Sequence, residues 1–139
     1  MALRDAMDVR VGSPRRVDLA ANHESLTLPF PKAVARLCEL LGARLVSYIT
    51  SVNETRAVHE WAHGDREPRG ADTARRIRLA LHIALLVSSA DDREVAQAWF
   101  QGLNPQLDDV SPARLLREGD VDTVGPDVLA AARAFLVGG

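Results

Sequence analysis

Apolar positions along this chain recur with the spacing of helices. From Lys32 to Leu41, the residues Val34, Leu37, Cys38 and Leu41 fall at i, i+3, i+4 and i+7, one face of a helix. Pro31 suits the first position of that helix and Gly42 its end. Leu45, Val46 and Ile49 mark a second, short helix. Residues 51–53 read as a turn, and Val58 and Trp61 form the narrow apolar edge of a third helix over 54–62, closed by Gly64, Asp65 and Pro68. The longest helix is expected over 70–89. Ile77, Leu81, Ala84, Leu85 and Ser88 keep one of its faces, and Leu79, Ile83 and Leu86 fill another. A helix apolar on most sides is buried, so this one should be the spine joining two halves.

Beyond the spine, Asp91 with Glu94 predicts a capped helix carrying Val95, Trp99 and Phe100, broken by Gly102, Asn104 and Pro105. Ser111 as cap and Pro112 at the first position predict a short helix with Leu115 and Leu116, stopping at Gly119. Gly125 and Pro126 are expected to open the last helix or lie in its first turn, with Val124, Val128, Ala132 and Phe135 on its apolar face. Residues 1–29 show no clean period. Gly12, Ser13, Pro14 and Pro29 punctuate them, and they are expected to form an irregular arm. No segment alternates with period two. The expected fold is therefore all-α: the arm at 1–29, a helix-turn-helix-like domain at 30–89, and a small helical domain at 90–139.

Composition fits this picture. Of 139 residues, 47% are hydrophobic but only 4% aromatic, so Leu, Val, Ile and Ala must build the core. A chain this short buries a modest core, and a homodimer or another partner is expected to supplement it. The net charge of -2 hides an asymmetry. Residues 31–90 carry nine basic and six acidic groups, whereas 91–139 carry four and nine. A basic middle and an acidic end suggest two surfaces with different partners. The single cysteine, Cys38, permits no disulfide framework and reads as a small buried hydrophobe. The start of the chain is charged at Arg4, Asp5, Asp8 and Arg10 and does not read as a signal peptide, and the run Leu79 to Val87 is too short to span a bilayer. A cytoplasmic protein without membrane contact is expected.

Two motifs carry candidate chemistry. Three short helices with a tight turn between the second and third describe a helix-turn-helix. Asn53, Thr55, Arg56 and His59 on the third would be the side chains reaching bases or phosphates, although any solvated helix face carries such residues. Glu54 and Glu60 beside Arg56 weaken the attraction to phosphate. Residues 59–63 read His-Glu-Trp-Ala-His, the H-E-x-x-H pattern in which two histidines one turn apart bind zinc and the glutamate acts as base. The helix ends at once after it, position 66 is Arg, and no third ligand is singled out by spacing. Trp61 as a core anchor flanked by polar histidines is the better reading. Arg75, Arg76 and Arg78 near the start of the spine could touch phosphate or simply form a solvated helix end.

The stretch from Val52 to Gly64 resembles the recognition-helix segment of Xre-type repressors. The C-terminal part resembles the toxin-binding domain of the Xre/MbcA/ParS antitoxin family, through Ala98-Trp99-Phe100, Leu103-Asn104-Pro105, Ser111-Pro112 with Leu115-Leu116, and a closing helix ending in Phe135. The resemblance covers residues 31–139. It implies a non-catalytic antitoxin of a type II toxin-antitoxin system, without a cofactor or metal, whose partner is a RES-domain toxin that degrades NAD. It further implies that the C-terminal end covers the toxin's active site, with operator DNA as a second partner of the helix-turn-helix half. The toxin-contacting residues would be Trp99, Pro105, Leu115, Leu116, Phe135, Leu136, Val137, Gly138 and Gly139. A core role for Trp99, Leu115 and Phe135 competes with this. The chain end from Leu136 is the better candidate for contact, because a core has little use for an exposed apolar terminus. The alternatives are a stand-alone helix-turn-helix transcription regulator and, behind it, an H-E-x-x-H zinc hydrolase.

Overall fold

The computed structural model describes residues 13–90 and 92–138. Among these residues there are eight α-helices and no strand: α1 (Pro14–Thr27), α2 (Phe30–Leu41), α3 (Ala43–Thr50), α4 (Thr55–His63), α5 (Ala71–Ala90), α6 (Arg93–Gln101), α7 (Pro112–Glu118) and α8 (Val121–Gly138). A short 3-10 turn, Pro105–Leu107, lies between α6 and α7. No helix among them is long and apolar enough to cross a membrane.

The expected irregular arm is corrected by α1. Ser13 caps this helix by accepting from the Arg16 amide at 3.2 Å, and Pro14 stands in its first turn. Its inward positions are small, Ala21 and Ser25, while Leu19 and Leu26 are 62% and 61% exposed. The helix therefore docks on α5 mainly through small residues, with Val17 partly buried against the core and Leu19 and Leu26 left outside, so the usual stripe is missing from its sequence. Residues 1–12 of the expected arm lie outside the described residues.

The helices α2, α3 and α4 pack on one another, and α2 and α3 also on α5, around Val34, Leu37, Val46, Ile49, Val58 and Trp61, all nearly or wholly buried. Between α3 and α4 runs a four-residue turn, residues 51–54. Ser51 adopts a left-handed conformation (φ 62°), its amide bonds the Tyr48 carbonyl, and the Val52 amide reaches back to the Ser47 carbonyl at 3.1 Å. This is the Schellman closure. Gly64 ends α4 in the same way, its amide bonding Trp61 and that of Asp65 bonding Glu60.

The spine is as expected: Ile77 and every residue from Ala80 to Val87 are buried. Two of its three arginines serve the ends of other helices, while Arg75 is more than half exposed and pairs with Asp122. Arg78 donates to the carbonyls of Ser25 and Leu28 at 2.9 Å each, which satisfies the end of α1. Arg76 donates to the carbonyls of Leu116 and Gly119, which closes α7. Each is a positive charge at the negative end of a helix.

In the C-terminal half, the cap of α6 is Asp92, which accepts from the Val95 amide at 3.1 Å; Asp91, the expected cap, lies outside the described residues. Ser111 caps α7 as expected, accepting from the Arg114 amide. The last helix starts at Val121, earlier than expected, so Pro126 stands inside it rather than in its first turn. Asp120 supplies the start by accepting from the amide and hydroxyl of Thr123. Buried residues of α2 to α8, with Ala21 of α1, form one continuous apolar cluster.

Candidate functional site

Beside the end of α8 lies an open groove of about 340 Å³, lined by Trp99 of α6, Asn104 to Gln106 of the 3-10 turn, and Ala131, Ala134, Phe135 and Gly138 of α8. Trp99 meets Phe100 edge-on at 5.3 Å between ring centroids and Phe135 at 6.3 Å. Phe100 is wholly buried, so it anchors Trp99 from below. The Asn104 side chain accepts from the Gln106 amide at 2.9 Å and its backbone amide bonds the Val110 carbonyl, which pins the loop holding Pro105. Asp108 and Asp109 follow, both exposed and both left-handed (φ 55° and 60°).

Four of the residues singled out by sequence, Trp99, Pro105, Phe135 and Gly138, thus meet in one groove. Val137 stands at the same chain end and is 75% exposed. Others do not join them. Leu116 is wholly buried, because it sits on the inner side of α7, and it has no surface left for a partner; its assignment as a contact is corrected. Leu115 and Leu136 are half-buried against the core. Gly139 lies outside the described residues.

Asn53 in the turn and Arg56 and His59 on α4 are exposed, and Thr55 is half-buried at the helix start. The Arg56 guanidinium donates to Glu60 at 3.1 Å, and Arg66 approaches the other oxygen of the same carboxylate at 3.9 Å. This face is therefore of mixed charge. The H-E-x-x-H histidines are both exposed, and their glutamate is the one held by these two arginines. Among the described residues, no group of three or more His, Cys, Asp or Glu side chains is arranged to hold a metal.

No family model, curated protein or solved structure matches this chain.

One polar constellation was not foreseen from sequence. Asp18 of α1 accepts from His82 Nε2 of α5 and from Arg133 Nε of α8, at 2.8 Å each. Burial alone would push this carboxyl up. The hydrogen bonds from His82 and Arg133 and the nearby guanidinium outweigh it and hold Asp18 below the ordinary carboxylate range. The available signal was His82 itself, the one polar residue inside an apolar run and now 7% exposed. Its partner came from a segment with no apolar pattern to place it.

Proposed function

We propose that this chain is the antitoxin of a type II toxin-antitoxin pair, a non-catalytic inhibitor that binds a RES-domain NAD-degrading toxin and covers its active site with the end of α8. The observation that carries the reading is the apolar groove of Trp99, Pro105 and Phe135 beside the exposed Val137. Aromatic side chains anchored from below and open above are the usual centre of a protein interface. The last fifty residues are acidic overall, and Asp108 and Asp109 follow Pro105 closely in sequence. An acidic domain suits a basic nucleotide pocket: charge speeds the encounter and the apolar centre sets its lifetime.

The test is NAD turnover by a RES protein encoded beside this chain, with and without the chain. Removing Leu136 to Gly139 should release the toxin, but Leu136 also packs on the core, so Val137→Asp is the cleaner variant. It should keep its melting temperature and lose inhibition by about tenfold or more. Undiminished inhibition by the Val137→Asp protein would refute occlusion by the chain end.

Operator binding through α3 and α4 is the second part of this proposal, with Asn53, Arg56 and His59 reaching the DNA and Thr55 at the helix start. A gel shift on the upstream DNA should weaken in Arg56→Ala. Repression without any effect on NAD turnover would replace the antitoxin reading with that of a stand-alone regulator.

A further inference from the structure

A second groove, of about 550 Å³, lies between α1, α5 and α8. Besides Val121 at its start, α8 gives it Leu129 and Arg133, whereas Ala131, Ala134 and Phe135 line the Trp99 groove. At about 100° per residue these sets fall on opposite faces of the helix, so the two grooves are separate.

This groove is apolar below and cationic along one wall. Leu79 and Leu129 are half-buried in it, and Leu19 and Leu26 stand at its edge with more than half their surface in water. Two exposed leucines on one helix beside a concavity are an uncovered apolar surface. The wall is made by Arg75, Arg78 and His82, at i, i+3 and i+7 on α5, and by Arg133. Asp18 is the acidic residue among those described that line it, and both its oxygens are already engaged, by His82 and Arg133. Arg78 is committed to the carbonyls ending α1. Arg75 pairs with Asp122 at the rim, and both side chains are more than half exposed. An exposed pair of this kind is weak and exchanges readily. Arg133 is also half-exposed.

We propose that this groove binds a small amphiphilic carboxylate, its head between Arg75 and Arg133 and its hydrocarbon body on Leu19, Leu26, Leu79 and Leu129. Guanidinium forks match the two oxygens of a carboxylate. The volume falls in the range of small-molecule sites, and an apolar lining with a few convergent polar groups is their usual make-up.

The probe is octanoate, titrated into the full chain at neutral pH and followed by amide chemical shifts. Binding should show a Kd on the order of 1 mM or below, with the shifts confined to α1, α5 and α8 around the groove. Octanol, which lacks the charge, and acetate, which lacks the tail, should each bind at least about fivefold more weakly. Arg75→Gln should weaken octanoate by about fivefold, and Asp122→Asn should tighten it by releasing Arg75. Both positions are exposed, so the fold is retained, and the opposite signs separate a charge effect from a loss of structure. Absence of binding at several times that concentration, shifts centred on Trp99, octanol binding as tightly as octanoate, or both variants moving affinity the same way would each overturn the proposal. None of these results bears on toxin inhibition, which is read at the other face of α8.

Discussion

Both carboxylate oxygens of Asp18 are engaged by side chains from two other helices, and one of these, His82, is nearly buried. Replacing Asp18 with Asn leaves His82 facing an amide in place of a charge. The expected cost is about 1–2 kcal/mol at neutral pH, read as a fall in the denaturation midpoint. The pH dependence has a fixed sign. A carboxyl held below its unfolded value stabilises the fold fully above that value, and the contribution is lost as pH falls through the lowered one. The native chain should therefore lose more stability than Asp18→Asn between about pH 5 and pH 3; equal acid sensitivity would show that the carboxylate is not the linked group. Cys38 behaves in the opposite way, since burial pushes its thiol up to about 11. Its alkylation at pH 8 should be about a hundredfold slower in the folded than in the unfolded chain. The sequence pointed to a buried cysteine from its apolar neighbours, and the structure leaves Cys38 partly buried against the core. Sequence alone could not foretell the Asp18–His82 pair, because a contact between residues 64 apart depends on how α1 docks.

At the level of the element, helix ends were the most readable feature and helix docking the least. Gly42, Gly64, Ser111 with Pro112, and Gly119 all stand at the boundaries they were expected to mark. Local chemistry decides such ends: side-chain oxygens cap amides, and glycine adopts backbone angles closed to other residues. The α1 helix escaped notice because its buried face is made of Ala21 and Ser25, which carry no hydrophobic signal. A prediction at this scale concerns Ser51, which holds a left-handed conformation that glycine adopts without strain. Its side chain makes no part of the Schellman closure, which is formed by backbone groups alone. Ser51→Gly should therefore stabilise the protein by up to about 1 kcal/mol, visible as a higher melting temperature. A lower one would mean that the Ser51 side chain contributes more to the turn than the backbone bonds do.

Across the whole molecule, the candidate partner groove draws on residues separated by more than thirty positions, from Trp99 to Gly138. Sequence motifs could nominate these residues, but only packing could sort them. Leu115 and Leu116 are neighbours of the same kind, yet the turn of α7 leaves the first partly open and buries the second. The same packing bears on whether the two halves are independent. Helix α5 touches α1, α2, α3, α6 and α8, and the buried cluster runs from Ala21 to Ala132 without a gap between halves. Cutting the chain at residue 90 would divide that cluster and expose apolar surface on both sides, so neither half keeps a complete core alone. Unfolding should accordingly be one cooperative event. The two tryptophans can report it, since Trp61 lies on α4 and Trp99 on α6. Trp61→Phe leaves only Trp99 to fluoresce, and Trp99→Phe leaves only Trp61. In each variant the fluorescence midpoint in urea should coincide with that variant's own far-ultraviolet dichroism midpoint. If Trp99 fluorescence changed well before the helical signal, the C-terminal half would be opening alone, and the shared core would not be what holds α6, α7 and α8 to the spine.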